Sequence, residues 1–188
     1  MKHSHGFTLI ELMVTIAILA IVLTIGVPSF QTVIQNNRLV SQYNDTLTSI
    51  TTARSEAIKN GTTITMCGST NSTACNTTSW ELGWIVFTDS DADRVVDAGV
   101  DTLLRVGYPF NGNNTLRTVS FANAGFIQYS STGLMVGSNT GTFKVCDPRG
   151  AAFARAVNIN AVGRVSRAED TNASGTVNDV DGTDVACP

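Results

Sequence analysis

The feature that most constrains this chain is an apolar run of 21 residues, Phe7–Val27, close to the N-terminus. The run contains no Asp, Lys or Arg, and its single ionisable residue is Glu11. About 20 apolar residues are what a helix needs to cross the hydrocarbon core of a bilayer. We therefore expect residues 7–27 to form a membrane-embedded helix. A carboxylate there costs about 2.5–3.5 kcal/mol on insertion scales, so we expect Glu11 to have a partner and a function.

A secretory signal peptide is the main alternative for an apolar run at this position. It fits poorly because the run begins after only six residues. In addition, no small-x-small cleavage site follows Gly26. An ordinary membrane anchor is the second alternative, and the carboxylate of Glu11 counts against it.

Beyond Pro28 the sequence becomes amphipathic. Apolar residues recur at three- and four-residue steps with polar residues between them, which predicts a helix with one buried face. These residues are Phe30, Val33, Val40, Tyr43, Leu47, Ile50 and Ala57. Asn60-Gly61 is a good stop signal, so the amphipathic helix is predicted over residues 28–60. We expect Gly26 and Pro28 to kink or locally melt the helix, and Arg54 and Glu56 to lie on its solvated face without a special role.

Residues 61–188 are rich in short strand-like segments separated by Gly, Asn, Ser and Asp. The predicted strands are Thr63–Cys67, Trp84–Thr88, Thr102–Val106, Leu116–Phe121, Phe126–Tyr129, Thr142–Cys146, Ala154–Asn160 and a short piece near Arg164. They predict an α+β fold in which an antiparallel β domain packs on the amphipathic helix while the apolar half of the helix protrudes.

All four cysteines, Cys67, Cys75, Cys146 and Cys187, follow the apolar run. Their even number and the membrane-directing N-terminus suggest two disulfides in an oxidising compartment. Of the three possible pairings we favour Cys67–Cys75, which closes a short polar loop, and Cys146–Cys187, which pins the C-terminus to a central strand.

The residues Gly6–Glu11, G-F-T-L-I-E, resemble the class III signal of type IV pilins and type II secretion pseudopilins. The resemblance implies that residues 1–6 are a leader, that a prepilin peptidase cuts between Gly6 and Phe7, and that Phe7 is then N-methylated. Glu11 and Pro28 stand where pilins carry a glutamate and a proline. By the same resemblance, Glu11 neutralises the new amine of a neighbouring subunit and sets the register of assembly in the filament core.

Inner motifs resemble the minor-pilin branch that contains GspH and FimT/FimU-type proteins. They are A-R-S-E-A at Ala53–Ala57, G-W-I-V-F at Gly83–Phe87, F-K-V-C-D-P-R-G at Phe143–Gly150 and A-R-A-V-N-I-N-A-V-G-R at Ala154–Arg164. The resemblance implies a type IV pilin fold, with residues 7–27 as the transmembrane or filament-core helix and residues 61–188 as the globular domain. Trp84, Phe87, Phe143 and Val145 are expected in its core.

The function that this resemblance implies is that of a minor pilin which initiates or joins pilus assembly. Such a protein sits in the bacterial inner membrane with a periplasmic domain and later enters an extracellular pilus. Its partners are other major and minor pilins, the prepilin peptidase and the inner-membrane assembly platform. The alternatives are a GspH-type pseudopilin of a type II secretion system and a DNA-binding pilin. Removal of the leader deletes His3 and His5, the only histidines, so we expect no enzymatic activity.

Two acidic stretches are candidates for structural calcium, and no other cofactor is expected. The first follows the spacing of a calcium loop, with Gly175 at its turn position. Its ligand positions are Asp170, Asn172, Ser174, Thr176, Asn178 and Asp181. The second contains Asp89, Asp91, Asp93 and Asp97, with Arg94 where such a loop wants glycine. The alternative for both is a polar, solvated turn.

Five basic residues cluster late in the chain: Lys144, Arg149, Arg155, Arg164 and Arg167. Some FimT-type relatives bind DNA through a G-R-x-R motif in this region. Here Gly163–Arg167 reads G-R-V-S-R, so the second arginine is displaced by one residue. The acidic tail beyond Arg167 would also repel phosphates. Arg164 and Arg167 are therefore DNA candidates, with ion pairs or subunit interfaces as the alternative.

Overall fold

The computed structural model describes residues 6–188, so His3, His5 and the other residues of 1–5 lie outside the described residues. The chain divides into two units, one ending at Asn37 and one comprising Arg38–Pro188. A single long helix, α1 (Leu9–Asn60), contributes to both units. By length and composition alone, this helix could cross a membrane.

Helix α1 is continuous through Gly26 and Pro28, which corrects the expectation that these residues would locally melt it. A proline inside a helix removes one backbone donor. The turns on either side keep their own hydrogen bonds, and the Thr32 hydroxyl donates to the Pro28 carbonyl at 3.2 Å. Helix α1 therefore stays continuous although it lacks one backbone hydrogen bond.

The second unit contains the eight strands that the sequence predicts. They are β1 (Ile64–Gly68), β2 (Trp84–Thr88), β3 (Leu103–Gly107), β4 (Thr115–Val119), β5 (Phe126–Tyr129), β6 (Gly141–Cys146), β7 (Arg155–Ile159) and β8 (Val165–Arg167). Short 3-10 turns occupy Trp80–Leu82, Val136–Ser138 and Ala151–Phe153. The strands form two antiparallel four-stranded sheets, ordered β3-β2-β1-β5 and β4-β6-β7-β8. The α+β prediction is confirmed.

The core lies between the second half of α1 and the two sheets. The buried stripe of α1 consists of Leu39, Tyr43, Thr46, Ser49, Ile50, Ala53 and Ala57. Phe30 and Val33, predicted on the packed face, are exposed because they lie in the first unit. Trp84, Phe87, Phe143 and Val145 are buried, as expected. Trp80 joins them, with its ring edge-on to Phe143 at 4.8 Å between centroids.

Two disulfides hold the loops and the C-terminus of the second unit. Cys67 on β1 pairs with Cys75, with 5.4 Å between their Cα atoms. Cys146 at the end of β6 pairs with Cys187, with 5.8 Å between their Cα atoms. These are the two pairings that the sequence favours. The second one fixes the end of the chain against the sheet that contains β6.

Candidate assembly and binding site

The bond between Gly6 and Phe7 lies in the short non-helical segment before α1. Both residues are exposed, and a Cβ added at Gly6 would meet no atom within 4 Å. The fold therefore places no steric demand on glycine at this position.

Glu11 lies in the first turn of α1. Its backbone N–H donates to the hydroxyl of Thr8 at 3.3 Å, so Thr8 caps the helix start. A negative side chain is favoured at this end of a helix by the helix dipole. Within residues 6–188, Glu11 forms no ion pair inside the chain.

Side chains from Gly6 to Ile34 are all exposed. The large apolar ones between Phe7 and Val27 keep from 47% to 80% of their surface accessible. Contiguous exposed apolar surface of this extent marks a membrane or protein contact. The first half of α1 is therefore built to be covered by a bilayer or by other apolar helices.

One flank of the buried stripe of α1 is tied to the sheet that contains β2 and β3. The Ser49 hydroxyl accepts from Trp84 Nε1 at 2.9 Å and from Arg105 Nε at 2.8 Å. Arg105 also forms an ion pair with Asp45, one turn earlier on α1. Ser49 also donates to the Asp45 carbonyl at 2.9 Å, so its buried hydroxyl donates one hydrogen bond and accepts two.

The other flank carries Arg54, for which the sequence predicts a solvated position without a role. That prediction is wrong. Arg54 Nε donates to the Gly133 carbonyl at 3.1 Å, and Nη2 donates to the Val162 carbonyl at 3.5 Å. These partners lie in turns 79 and 108 residues away, which no local pattern reveals. Glu56 is half-buried and accepts from Lys59 and Asn60 within the helix.

The acidic loop, residues 89–101 between β2 and β3, brings carboxylates together. Asp89 is fully buried, and its carboxylate accepts from the Thr65 hydroxyl at 2.5 Å and from Gln128 at 3.1 Å. Carboxylate oxygens of Asp89, Asp91 and Asp93 lie within 4.8 Å of one another. The charge of Asp93, with smaller effects of burial and other nearby carboxylates, raises the pKa of Asp97.

In the tail loop, Asp170 and Asn172 both accept from the backbone N–H of Ser174, whereas Asp181 has its partner outside the loop. The carboxylate of Asp170 accepts from the backbone N–H groups of Ser174 and Gly175. Asp181 instead accepts from the hydroxyl of Ser120. Hydrogen bonds from Asn172 and Ser174, and then from Asn178, lower the pKa of Asp184, a carboxylate that the template leaves out. Calcium binding at either loop stays a prediction.

The two DNA candidates lie at the ends of one short edge strand. Arg164 directly precedes β8 and Arg167 ends it, and both are exposed. Neither forms an ion pair within residues 6–188. Arg149 instead pairs with Asp147, and Lys144 donates to the Ala186 carbonyl. Within residues 6–188, Arg149 and Lys144 of the basic cluster thus have partners in the chain, whereas Arg164 and Arg167 form no ion pair.

Comparisons with known proteins match the N-terminal helix and the domain that follows it separately. A family model described as Type II transport protein GspH matches residues 42–163. A model described as Prokaryotic N-terminal methylation motif matches residues 1–27. No curated protein matches the chain significantly.

Two crystal structures of the type IV minor pilin FimU of Pseudomonas aeruginosa are similar in fold. The first is 21% identical with a TM-score of 0.56, and the match covers 76% of this chain and 96% of that one. The second, another crystal form, is 20% identical with a TM-score of 0.54, covering 73% and 98%. At about 20% identity, this similarity indicates a shared fold but not a shared activity.

Proposed function

The chain belongs to the GspH family of pilin-like proteins, and from this membership we propose that it is a minor pilin of a type IV pilus. The observation that carries the proposal is the exposed apolar half of α1, with Glu11 in its first turn and an accessible Gly6–Phe7 bond before it. Soluble monomeric proteins rarely expose a contiguous apolar surface of this extent. A subunit that moves from a membrane into a filament core uses the same apolar surface against lipid first and against other helices afterwards.

In this proposal the prepilin peptidase cuts after Gly6, and Phe7 becomes the methylated N-terminus. The new amine is positively charged. It lies at the N-terminal end of the helix, where the helix dipole disfavours a cation. Glu11 of a neighbouring subunit neutralises it, because an unpaired charge in an apolar core is strongly penalised. The protein starts in the inner membrane with a periplasmic domain and ends in the extracellular pilus. Its partners are other pilins and the assembly platform.

The test is Glu11→Gln in the full chain, expressed in its own host lacking the wild-type gene. We expect the leader to be cut normally but the protein to be lost from sheared filaments and retained in the membrane fraction. Glu56→Gln is the matched control, since Glu56 lies on the same helix and pairs only with its own turn. Wild-type recovery of Glu11→Gln in filaments would contradict the proposal.

A pseudopilin of a type II secretion system is the first alternative, and the description of the family model favours it. The two functions use the same fold and the same N-terminus. A deletion strain separates them. Lost surface pili with intact secretion supports the pilus, whereas lost secretion with intact pili supports the pseudopilin.

Binding of DNA for natural transformation is the second alternative, and the exposed pair Arg164 and Arg167 favours it. Contacts to phosphates weaken steeply as salt rises. A gel shift with duplex DNA and the full chain in detergent, at low and at physiological salt, tests it. No shift at low salt would exclude DNA binding. A shift abolished by Arg164→Gln and Arg167→Gln would support it.

A further inference from the structure

The sheet that contains β1 and β5 carries a cluster of three polar side chains on the face turned away from α1. Thr65 on β1 and Gln128 on β5 are directly opposed in the antiparallel pair. Asp89 directly follows β2, the strand on the other side of β1. Because side chains alternate along a strand, Thr65 points away from the core that Ile64 and Met66 join. Thr65, Asp89 and Gln128 are here called the polar triad.

The polar triad forms a closed set of hydrogen bonds. The Thr65 hydroxyl donates to Asp89 Oδ2 at 2.5 Å. The Gln128 side-chain amide donates from Nε2 to the same Oδ2 at 3.1 Å and to Thr65 Oγ1 at 2.9 Å. One carboxylate oxygen therefore contacts both a hydroxyl and an amide nitrogen, and the hydroxyl and the amide also contact each other.

The triad is shielded from water. Thr65 and Asp89 have no exposed surface, and Gln128 is half-buried. A setting that excludes water strengthens the electrostatic interactions among the groups it encloses. The same face of the sheet carries a small apolar cluster, which consists of Cys67, Ile85 and Phe87.

These three groups are the components of an acyl transfer. A hydroxyl is a nucleophile, an amide carbon is an electrophile, and a carboxylate in contact with the hydroxyl can act as a general base. The amide carbon of Gln128 is one C–N bond from Nε2, so it lies no more than about 4.2 Å from Thr65 Oγ1. The terminal torsion of a glutamine side chain is broad, and a small rotation brings the two atoms to attack distance.

We propose that Thr65 and Gln128 become joined by an ester bond that the chain forms by itself, with Asp89 as the catalytic residue. Thr65 Oγ1 attacks the amide carbon of Gln128 while Asp89 Oδ2 takes the hydroxyl proton. Asp89 then gives this proton to Nε2, the bond between Nε2 and the amide carbon breaks, and ammonia leaves. A hydroxyl and a primary amide thus become an ester and ammonia, with no change of oxidation state.

The position of the groups favours this reaction although an amide is a poor acyl donor. Holding two reactants in place corresponds to effective concentrations of up to about 10⁵–10⁸ M. Each chain reacts only once, so a half-time of hours suffices. The released ammonia diffuses into solvent, and the burial of Thr65 keeps water from hydrolysing the ester.

The ester would fasten an edge strand to its sheet. Strand β5 has four residues and pairs within its sheet with β1 alone. The alternative is that Thr65 and Gln128 only supply hydrogen bonds to the buried carboxylate of Asp89, which has no ion pair within residues 6–188. The proposal concerns the second unit alone and does not depend on the pilin function.

Peptide mapping of the full chain, purified from its host in detergent, tests the proposal. Trypsin cuts after Lys and Arg, so Thr65 lies on the peptide of residues 60–94 and Gln128 on that of residues 118–144. After reduction and alkylation of the cysteines, we expect one joined species, lighter than the sum of the two peptides by one ammonia. Fragmentation should place the link at Thr65 and Gln128. Mild alkali should separate the peptides, because base hydrolyses an ester and leaves peptide bonds intact.

The chain also contains a matched pair for comparison. Thr142 and Asn158 are directly opposed on paired strands, and Thr142 is fully buried. There the hydroxyl donates to the amide oxygen of Asn158 at 2.7 Å, so its single proton is not given to a carboxylate. We therefore expect no species that joins residues 118–144 to residues 156–164.

Substitutions test the role of each group. Thr65→Val removes the nucleophile at similar volume and should abolish the joined species, whereas Thr65→Ser keeps a hydroxyl and should retain it. Asp89→Asn removes the base, and we expect the joined species in newly made protein to form about a hundredfold more slowly. Formation of the disulfide between Cys67 on β1 and Cys75 shows whether each variant folds.

Absence of the joined species from the wild-type protein would overturn the proposal, whether or not any variant folds. A link between other residues would do the same, and so would an unchanged rate in folded Asp89→Asn. In each of these cases the polar triad is a hydrogen-bonded network only.

Discussion

Trp84 on β2 donates its indole N–H to the hydroxyl of Ser49 on α1, across 2.9 Å of fully buried space. The same oxygen accepts from Arg105 on β3. One serine thus holds the helix, a central strand and an edge strand together. Because the two donors are buried or half-buried, a side chain without an oxygen would leave them unpaired.

Replacing Ser49 with Ala should therefore destabilise the protein more than a lost methylene-sized group would. Leaving buried donors unsatisfied costs about 1–3 kcal/mol, and we expect about 2 kcal/mol. Urea unfolding of the full chain in detergent, followed by tryptophan fluorescence, measures the change. Thr48→Ala is the matched control, since its exposed hydroxyl bonds only to the Asn44 carbonyl. Equal effects of the two substitutions would contradict the assignment.

Gly163 should be far less replaceable than the glycines with positive φ that have open space around them. Its φ is +74°, and an added Cβ would lie 2.2 Å from the Gly133 carbonyl oxygen. Gly182 has a φ of +83° but nothing within 4 Å, so Gly182→Ala isolates the backbone strain, about 1 kcal/mol. We expect Gly163→Ala to cost about 3 kcal/mol in unfolding free energy, because the turn must also move. A difference below the error of urea titration would argue against the close contact.

Asp97→Asn should stabilise the protein at neutral pH. The charge of Asp93, followed by burial and the other carboxylates, raises the pKa of Asp97 above its ordinary value of 3.8. An acid with a raised folded-state pKa is destabilising when ionised, so stability falls as pH rises from 3.8 to the folded pKa. The Tm of the variant should exceed that of the wild type at pH 7. The gain should vanish below pH 3.8 and shrink in high salt.

Asp184→Asn should have the opposite sign. Hydrogen bonds from Asn172, Ser174 and Asn178 lower the pKa of Asp184, so its ionised form stabilises the fold. That stability is present above the ordinary pKa of 3.8 and is lost as pH falls through the folded value. Hydrogen exchange of residues 170–184 should therefore accelerate in the variant at pH 7. If calcium slowed this exchange in the wild type, and Asp170→Asn removed the effect, the calcium prediction for the tail loop would be supported.

The two disulfides should differ in their contribution. The Cys146–Cys187 bridge spans 41 residues in sequence and the Cys67–Cys75 bridge spans 8. Chain-entropy estimates give about 4 kcal/mol for the longer loop and about 2.5 kcal/mol for the shorter one. Paired Cys→Ala variants, compared by urea unfolding, measure both. The opposite ranking would show that packing of the buried Cys67 outweighs loop closure.

The sequence predicts the local elements well because each has a local cause. Trp84–Thr88 and Phe126–Tyr129 form as predicted, since short apolar segments between turn residues specify strands. The buried stripe of α1 is predicted less well, because Thr46 and Ser49 are polar. Both hydroxyls donate to carbonyls of the preceding turn, which makes them compatible with burial.

The long-range contacts could not be predicted in the same way. Ser49 reaches Trp84 across 35 residues, and Arg54 reaches Val162 across 108. Each contact depends on which strands pair and in which register, and no periodicity near Ser49 or Arg54 carries that information. The contacts of Arg54 were missed for this reason. The motif Ala53–Ala57 indicates the family, but it does not indicate which residues the Arg54 side chain contacts.

The fastening of α1 on both flanks also has a mechanical consequence. In the proposed filament, tension would pull each subunit along its helix axis. The bonds of Ser49 and Asp45 on one flank, and of Arg54 on the other, then carry the load at the same time. Bonds loaded together in shear must break together, whereas bonds loaded in sequence can open one by one. In the filament proposed above, these bonds would resist separation of the sheets from residues 38–60 of α1 when the fibre is stretched.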